Sequence, residues 1–140
     1  MKKLHLSLCL LMIVTLFSCG SDDNDNDTPE VNSELLAKWG QVSFSQQGEA
    51  MTITDCEKRS TIEFTTQLFT EISYAPVNTD CQIDGQYSGT WKQEGNVLTL
   101  TYTDEGETFV DIATFTLVDN KLTIKYDDEG FITEFGYEKL

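Results

Sequence analysis

Histidine and arginine are almost missing from this sequence, and their scarcity excludes several kinds of chemistry. His5 is the only histidine and lies in an N-terminal apolar segment, while Arg59 is the only arginine. Without His5 the chain has no imidazole for general-base catalysis, for a Ser-His or Cys-His pair or for a metal site. Glycine-rich phosphate loops, nucleophile elbows and metal-binding motifs are absent as well. We therefore expect a protein that is not an enzyme, with no metal site and no cofactor.

Positive charge is scarce throughout the chain. Nine lysine and arginine residues stand against 24 acidic residues, which gives a formal net charge of −15. Such a chain repels nucleic acid, whose binding requires neutralised phosphates. It also disfavours electrostatic attachment to anionic membranes. We expect no nucleic-acid partner; a cationic partner is compatible with this charge, although surface acidity also serves solubility alone.

Long apolar runs are limited to the N-terminus. Met1 is followed by Lys2 and Lys3, and residues 4–17 are then mostly apolar. This stretch is shorter than the roughly 20 apolar residues that a transmembrane helix needs. A positively charged start and a short apolar core are typical of a secretory signal peptide. We predict that residues 1–18 form such a lipoprotein signal.

The end of this segment, Leu16-Phe17-Ser18-Cys19-Gly20, resembles a bacterial lipobox, the motif at which lipoproteins are cleaved and lipidated. The resemblance implies that Cys19 carries the lipid, with palmitate among its acyl chains. Stable anchoring takes at least two such chains. The protein would then contact the membrane through its N-terminal lipid, without a spanning helix.

An acidic stretch follows Cys19. Residues 20–32 lack aromatic residues and are rich in Asp, Asn, Ser and Pro, a composition that buries too little apolar surface to fold. We predict that residues 19–32 form a disordered tether. Residues 21–25 resemble the acidic export signals of surface lipoproteins in some Gram-negative bacteria. The resemblance implies a lipid-anchored outer-membrane protein exposed at the cell surface; the alternative is a domain that faces the periplasm.

Cysteine is nearly as limited as histidine. Of the four cysteines, Cys9 lies in the predicted signal and Cys19 in the lipobox-like motif. Cys56 and Cys81 remain, and two thiols of an exported domain usually pair with each other. We predict a disulfide between them. A thiolate nucleophile and half of a metal site are the alternatives.

Apolar and polar residues alternate along most of the chain after Trp39, which indicates half-buried antiparallel strands. Leu98, Leu100 and Tyr102, for example, share one face, with threonines on the other. Turn-forming residues separate the segments. Eight strands are predicted, at residues 39–46, 60–66, 68–75, 86–94, 97–103, 107–118, 121–127 and 131–138.

Three local features qualify this pattern. The strand at 107–118 is apolar on both faces, so we expect a bulge near Ala113. A helical turn is expected at residues 33–38, with Asn32 or Ser33 as its cap. Alternation places Glu63 and Glu71 on the outer face of their strands.

Eight short strands in meander order form either a sandwich or a closed barrel. Residues 34–44, 56–64, 85–102 and 121–139, with Cys81 between them, resemble the lipocalin-like domains of bacterial lipoproteins. The resemblance implies an all-β fold, an eight-stranded antiparallel up-and-down barrel, over residues 33–140. It also implies that Trp39 plugs one end of the barrel. The arginine that covers this tryptophan in the family is missing, and Lys139 is its substitute.

Two functions fit such a barrel. In the first, the protein binds or carries a small, mostly apolar ligand inside. Nine inward-facing residues are predicted to line the site: Phe64, Ile72, Tyr87, Trp91, Leu100, Tyr102, Phe115, Tyr126 and Phe135. In the second, these side chains pack the interior completely and the surface-displayed domain binds a protein partner. Arg59, beside Lys58, is then a candidate contact, unless it pairs with Glu57 or Asp55.

Overall fold

The computed structural model describes residues 32–140. The predicted signal peptide, the lipid attachment site at Cys19 and all of the predicted tether except Asn32 lie outside these residues. Most of the described residues lie in β-strands, which are joined by turns, loops and two single-turn 3₁₀ helices, Ser33–Leu35 and Glu57–Arg59. No helix among them is long and apolar enough to cross a membrane.

The strands form one antiparallel sheet. Their bounds are β1 Lys38–Gln46, β2 Glu49–Met51, β3 Thr61–Phe64, β4 Leu68–Val77, β5 Asp80–Glu94, β6 Val97–Asp104, β7 Glu107–Val118, β8 Lys121–Asp128 and β9 Phe131–Lys139. Each strand from β3 onward pairs with the next, and β1 pairs with both β3 and β9, so the sheet closes. The predicted all-β barrel is confirmed.

The barrel has eight positions although it has nine strands, because β2 and β3 share one position. β2 pairs with the C-terminal end of β1, and β3 pairs with its N-terminal end. Sequence alternation missed β2 and the first residues of β5. Both segments are mostly exposed, so no apolar face marks them. The predicted helical turn is shorter than expected, and Asn32 is its cap, since its side chain accepts a hydrogen bond from the Glu34 amide.

Tight turns set the register of several hairpins. Gln47-Gly48, Glu105-Gly106 and Glu129-Gly130 each have two successive residues with positive φ. Two-residue turns of this kind match the right-handed twist of the strands, and glycine adopts such φ values without strain. The turn chemistry seen in the sequence therefore closes the strands in the expected order.

One end of the barrel is packed with apolar side chains. The buried cluster comprises Leu35, Trp39, Ile62, Phe64, Phe69, Trp91, Leu98, Leu100, Ala113, Phe115, Leu122, Ile124 and Tyr137. Trp39 is fully buried, and its indole donates a hydrogen bond to the carbonyl oxygen of Leu35 at 3.0 Å. The Lys139 ammonium lies 5.7 Å from the Trp39 ring centroid, a distance at which a cation and a ring attract each other.

A disulfide fixes the segment between β2 and β3, where strand pairing along β1 is interrupted. Cys56 and Cys81 are bonded, which confirms the predicted pairing. In the same segment, the Ser60 hydroxyl accepts a hydrogen bond from the Tyr74 amide at 2.9 Å. These contacts attach residues 52–60, which form no strand, to β4 and β5.

Arg59 does not pair with Glu57 or Asp55. Its guanidinium carbon lies 4.7 Å from the centroid of the Tyr74 ring. Lys58 makes the ion pair with Asp55 instead, at 2.9 Å. The arginine thus stacks on the barrel wall, which fits its planar, delocalised charge.

The predicted bulge in β7 is absent. β7 pairs with β6 and β8 without a register shift, and its faces alternate regularly. Bulges occur instead at Gln41/Ser43 and Ser73/Tyr74. The second apolar face of β7 is therefore exposed: Val110, Ile112 and Val118 are 56%, 65% and 66% accessible.

Candidate functional site

The other half of the barrel is hollow. A cavity of about 200 Å³ lies between the packed cluster and the end that carries the turns at residues 47–48, 78–79, 105–106 and 129–130. Its lining residues come from six consecutive strands, β4 to β9. They are Phe69, Glu71, Tyr87, Leu100, Tyr102, Asp111, Tyr126 and Phe135. The interior is thus partly packed and partly open.

Strand register explains why these side chains meet. Residues directly opposite each other in an antiparallel pair share a face. Glu71 lies opposite Tyr87, and Leu100 lies opposite Asp111. Gly89, two residues after Tyr87, has no room for a side chain, because a Cβ there would overlap the Thr101 carbonyl. β5 and β6 therefore approach each other closely beside the cavity.

Five of the nine residues predicted to line a site do line the cavity. They are Tyr87, Leu100, Tyr102, Tyr126 and Phe135. Phe64, Trp91 and Phe115 belong to the packed cluster instead. The rings of Phe64 and Trp91 meet edge to face at 4.9 Å, and the Trp91 indole donates a hydrogen bond to the Thr65 carbonyl oxygen. Most of the filling and lining side chains thus lie at different ends of the same barrel, and Leu100 and Phe69 lie at the boundary, in both groups.

The prediction for Ile72 was wrong, and so was the outward placement of Glu71. Ile72 lies opposite Gln86, on the exterior face, whereas Glu71 shares the inward face with Phe69 and Tyr87. Alternation predicts the inverse phase for β4, because an apolar Ile72 fits an inward position better than an acidic neighbour does. Glu63, on β3, is exposed as predicted.

Phe69, Glu71 and Asp111 are the lining residues that sequence reasoning missed. Asp111 belongs to an inward series with Ala113 and Phe115, so strict period-two counting along β7 was the available signal. The same counting from buried Phe69 finds Glu71. An inward carboxylate is invisible to a method that reads apolar faces only.

Aromatic rings surround much of the cavity. Tyr87 and Tyr102 have ring centroids 5.1 Å apart, and Tyr126 meets Phe135 at 6.0 Å nearly edge to face. Phe109 stacks on Tyr102 at 5.6 Å from farther up the barrel. Such walls combine apolar ring faces with phenol hydroxyls, which suits a small ligand that has both apolar and polar parts.

The two carboxyl groups give the cavity its charge. The Tyr102 hydroxyl donates a hydrogen bond to Asp111 Oδ2 at 3.1 Å. Burial, followed by this hydrogen bond, raises the pKa of Tyr102 to about 12. Burial, and then the charge of Asp111, raises the pKa of Glu71 to about 6. None of the residues that line the cavity is basic.

Glu71 is expected to destabilise the folded protein at neutral pH. Because its pKa is raised from 4.5 to about 6, the folded state holds the proton more tightly than the unfolded state. Stability therefore falls as the pH rises through this interval. We expect Glu71→Gln to raise the free energy of unfolding at pH 7.5 by about 2 kcal/mol, measured by urea denaturation.

The matched control is Glu63→Gln, which makes the same change on the exposed face of β3. It should alter the free energy of unfolding by less than about 0.5 kcal/mol. The pH dependence between 4.5 and 7 should be weaker in Glu71→Gln than in the unchanged protein. A loss of stability in Glu71→Gln at pH 7.5 would mean that the carboxylate makes stabilising contacts.

Metal chemistry has no support in the described part of the chain. Among residues 32–140, no three His, Cys, Asp or Glu side chains are grouped to hold a metal ion. The disulfide also removes Cys56 and Cys81 as a thiolate nucleophile or metal ligands.

A closed antiparallel barrel, packed at one end and hollow at the other, defines the class of small β-barrel domains that typically bind ligands inside. The sequence profile described as "Lipocalin-like domain" matches residues 35–124. The chain belongs to this lipocalin-like family, as the resemblance in its sequence implied.

Solved structures agree with this assignment at the level of the fold. A lipocalin-like protein from Bacteroides uniformis is 12% identical, with a TM-score of 0.52 over 76% of this chain and 99% of that chain. An uncharacterized protein from Bacteroides eggerthii has the same identity, TM-score and coverage. At this identity the likeness shows the fold alone. No curated protein matches the chain in sequence.

Proposed function

We propose that this protein is a membrane-anchored, non-enzymatic carrier that binds one small, mostly apolar molecule in the barrel cavity. The observation that supports binding is the hollow half of the barrel, with its walls of aromatic rings and a few polar groups. Concave sites of this composition are the usual form of small-molecule sites in proteins. A core that served stability alone would be filled, as its other half is.

The size of the cavity limits the ligand. Its volume is about 200 Å³, below the roughly 300 Å³ at which sites for drug-sized molecules begin. A cavity of about 150 Å³ is enough for benzene. A single substituted ring therefore fits, whereas a long acyl chain would need the barrel to rearrange or would protrude from it.

The anchor is proposed from the sequence. Leu16 to Gly20 resembles a lipobox, which would put acyl chains on Cys19, and the acidic residues after it resemble an export signal. We propose an outer-membrane location with the barrel displayed at the cell surface; the alternative orientation faces the periplasm. A tether of about fourteen flexible residues would span on the order of 20 Å.

Filling the cavity should weaken ligand binding. Leu100→Phe adds a ring to a cavity wall that is already buried. We expect it to weaken binding of a neutral single-ring probe, 2-phenylethanol, at least tenfold, because ring and probe compete for the same volume. Isothermal titration calorimetry on the full chain measures the effect.

Thr101→Phe is the matched control, since it adds a ring to the next residue of β6, on the opposite face of the strand. Its affinity for 2-phenylethanol should stay within about twofold of the unchanged protein. Equal weakening by both variants, or none by Leu100→Phe, would place the binding site outside the cavity. The carrier proposal would then fail.

A protein partner is the second candidate function, and one observation favours it. The exterior of β7 exposes Val110, Ile112 and Val118, with Thr114 and Thr116 between the last two, and exposed apolar surface is a common feature of interaction sites. This function does not require a filled barrel, so it is compatible with a ligand in the cavity. The exposed strip lies on the opposite face of β7 from Asp111.

A further inference from the structure

We propose that the molecule held in the cavity carries a positively charged amine, with the carboxylates of Glu71 and Asp111 as its counter-ions. The inference rests on the proposed function, because it names the chemical class of the ligand of that same cavity. Its basis is that two acidic groups and several aromatic rings line one cavity, and that no basic group is among the lining residues.

The charge of the cavity is unbalanced. Glu71 and Asp111 enter it from β4 and β7, on different sides of the hollow. Glu71 is half-buried, and its side chain makes no salt bridge within residues 32–140, while Asp111 accepts a hydrogen bond from the Tyr102 hydroxyl. Charges removed from water are unfavourable unless they are paired. No residue that lines the cavity is a cation, so a cationic ligand is the group that would complete the pair.

The raised pKa of Glu71 agrees with this assignment. Burial, and then the charge of Asp111, disfavours the ionised carboxyl and raises its pKa to about 6. A bound ammonium group would reverse the balance, since an opposite charge nearby favours the ionised carboxyl. The ligand would then gain a charge-assisted hydrogen bond.

The aromatic walls suit the same ligand. Cations bind favourably to the faces of tyrosine and phenylalanine rings within about 6 Å of the centroid, and aromatic cages recognise ammonium groups. Tyr87, Tyr102 and Tyr126 provide both ring faces and hydroxyl oxygens around the carboxylates. Phe69 and Phe135 provide apolar surface for the remainder of the molecule. An aryl or short alkyl amine therefore fits the cavity, with its ammonium group near the carboxylates and its apolar part against the aromatic rings.

An anionic ligand is disfavoured by the same charges. A fatty acid or an aromatic carboxylate would place a third negative charge among Glu71 and Asp111, with no lysine or arginine among the lining residues to offset it. Like charges brought together in a poorly solvated site repel strongly. The affinity of the cavity should therefore be highest for a cation, lower for a neutral molecule and lowest for an anion.

Three probes with the same phenyl ring test this order on the full chain at pH 7.5. They are 2-phenylethylamine, which is protonated near neutral pH as alkyl amines are, 2-phenylethanol, which is neutral, and phenylacetate, which is an anion. Calorimetry should show the amine binding at least tenfold more tightly than the alcohol, because a charge-assisted hydrogen bond exceeds a neutral one by about that much. Phenylacetate should bind more weakly than the alcohol.

Glu71→Gln tests the assigned counter-ion. We expect about tenfold weaker binding of 2-phenylethylamine and less than a twofold change for 2-phenylethanol. Glu63→Gln, on the exterior, should change neither affinity. Because the substitution at Glu71 is expected to raise stability, a loss of amine binding cannot be attributed to unfolding.

The pH dependence supplies a second readout. The titratable groups that face Glu71 from other strands are Asp111, Tyr87, Tyr102, Tyr126 and Tyr137. Since the amine requires the ionised form of Glu71, its affinity should rise about tenfold from pH 5 to pH 7.5. The affinity of 2-phenylethanol should change far less, and Glu71→Gln should remove most of the rise for the amine.

The outcomes separate the two proposals. If 2-phenylethanol or phenylacetate binds as tightly as the amine, and Leu100→Phe blocks it, the carrier function stands and the cationic ligand class is wrong. If the amine binds but Glu71→Gln leaves its affinity unchanged, the assigned counter-ion is wrong. If none of the three probes binds, both proposals are contradicted.

Discussion

Trp39→Ala is expected to lower the free energy of unfolding by about 4 kcal/mol, because truncation of a buried aromatic side chain costs about 3–5 kcal/mol. Trp39 is fully buried, and its indole donates a hydrogen bond to the Leu35 carbonyl oxygen. Removal of the ring would leave a hole where the N-terminal 3₁₀ helix packs on the barrel end. Urea denaturation followed by circular dichroism measures the loss.

Two variants separate the contributions at this position. Trp39→Phe keeps a ring in the core and removes the hydrogen bond to Leu35, so a smaller loss of about 1–3 kcal/mol is expected. Val42→Ala, on the same strand but 44% exposed, should cost less than about 1 kcal/mol. If Trp39→Ala cost no more than Val42→Ala, the barrel end would not depend on this tryptophan.

The fold could be predicted from the sequence because one face of most strands is apolar. Leu98, Leu100 and Tyr102 alternate with threonines, and the opposite strands repeat the pattern, so strand positions and meander order follow. Strand segments without an apolar face could not be predicted in this way. β2, with all three residues exposed, is one example, since its position depends on pairing with β1 rather than on burial.

The candidate site could be predicted only in its apolar part. The alternation of apolar and polar residues predicts that Tyr87 and Tyr126 face inward, whereas Glu71 and Asp111 break the rule that inward residues are apolar. A carboxylate that faces a barrel interior opposes stability, so composition and alternation give it no weight. Such local conflicts between sequence pattern and fold are the expected mark of a functional position. The cavity itself cannot be predicted from the sequence either, because side chains that line a cavity and side chains that fill a core show the same alternation of apolar and polar residues.

The two ends of the barrel have opposite energetic roles. The packed end buries large apolar side chains such as Trp39 and Phe64 almost completely, and each contributes about 1.5–3 kcal/mol of hydrophobic free energy. The hollow end keeps Glu71 in a position where its charge is unfavourable. Stability from the first end allows the second to retain a cavity that is poorly packed and charged.

Removal of the disulfide should have the second largest effect on stability. Cys56 and Cys81 are 25 residues apart in the sequence, and closure of a loop of this length stabilises the folded state by about 3.5 kcal/mol in the chain-entropy model. We expect the double variant Cys56→Ser, Cys81→Ser to lose about that much free energy of unfolding. Chemical denaturation under oxidising conditions measures it.

The effect should be strongest where the β-ladder is interrupted. Residues 52–60 lie between β2 and β3 and are attached to the barrel by the disulfide and by a few noncovalent contacts. These include the hydrogen bonds of Ser60 with the Tyr74 and Gln41 amides and the stacking of Arg59 on Tyr74. Without the covalent link, hydrogen exchange in residues 52–60 should increase more than in β6 or β8. Reductant should destabilise the unchanged protein to the level of the double variant and leave the variant itself unaffected. If reductant and substitution each left the free energy of unfolding unchanged, the noncovalent contacts alone would be sufficient to hold this segment.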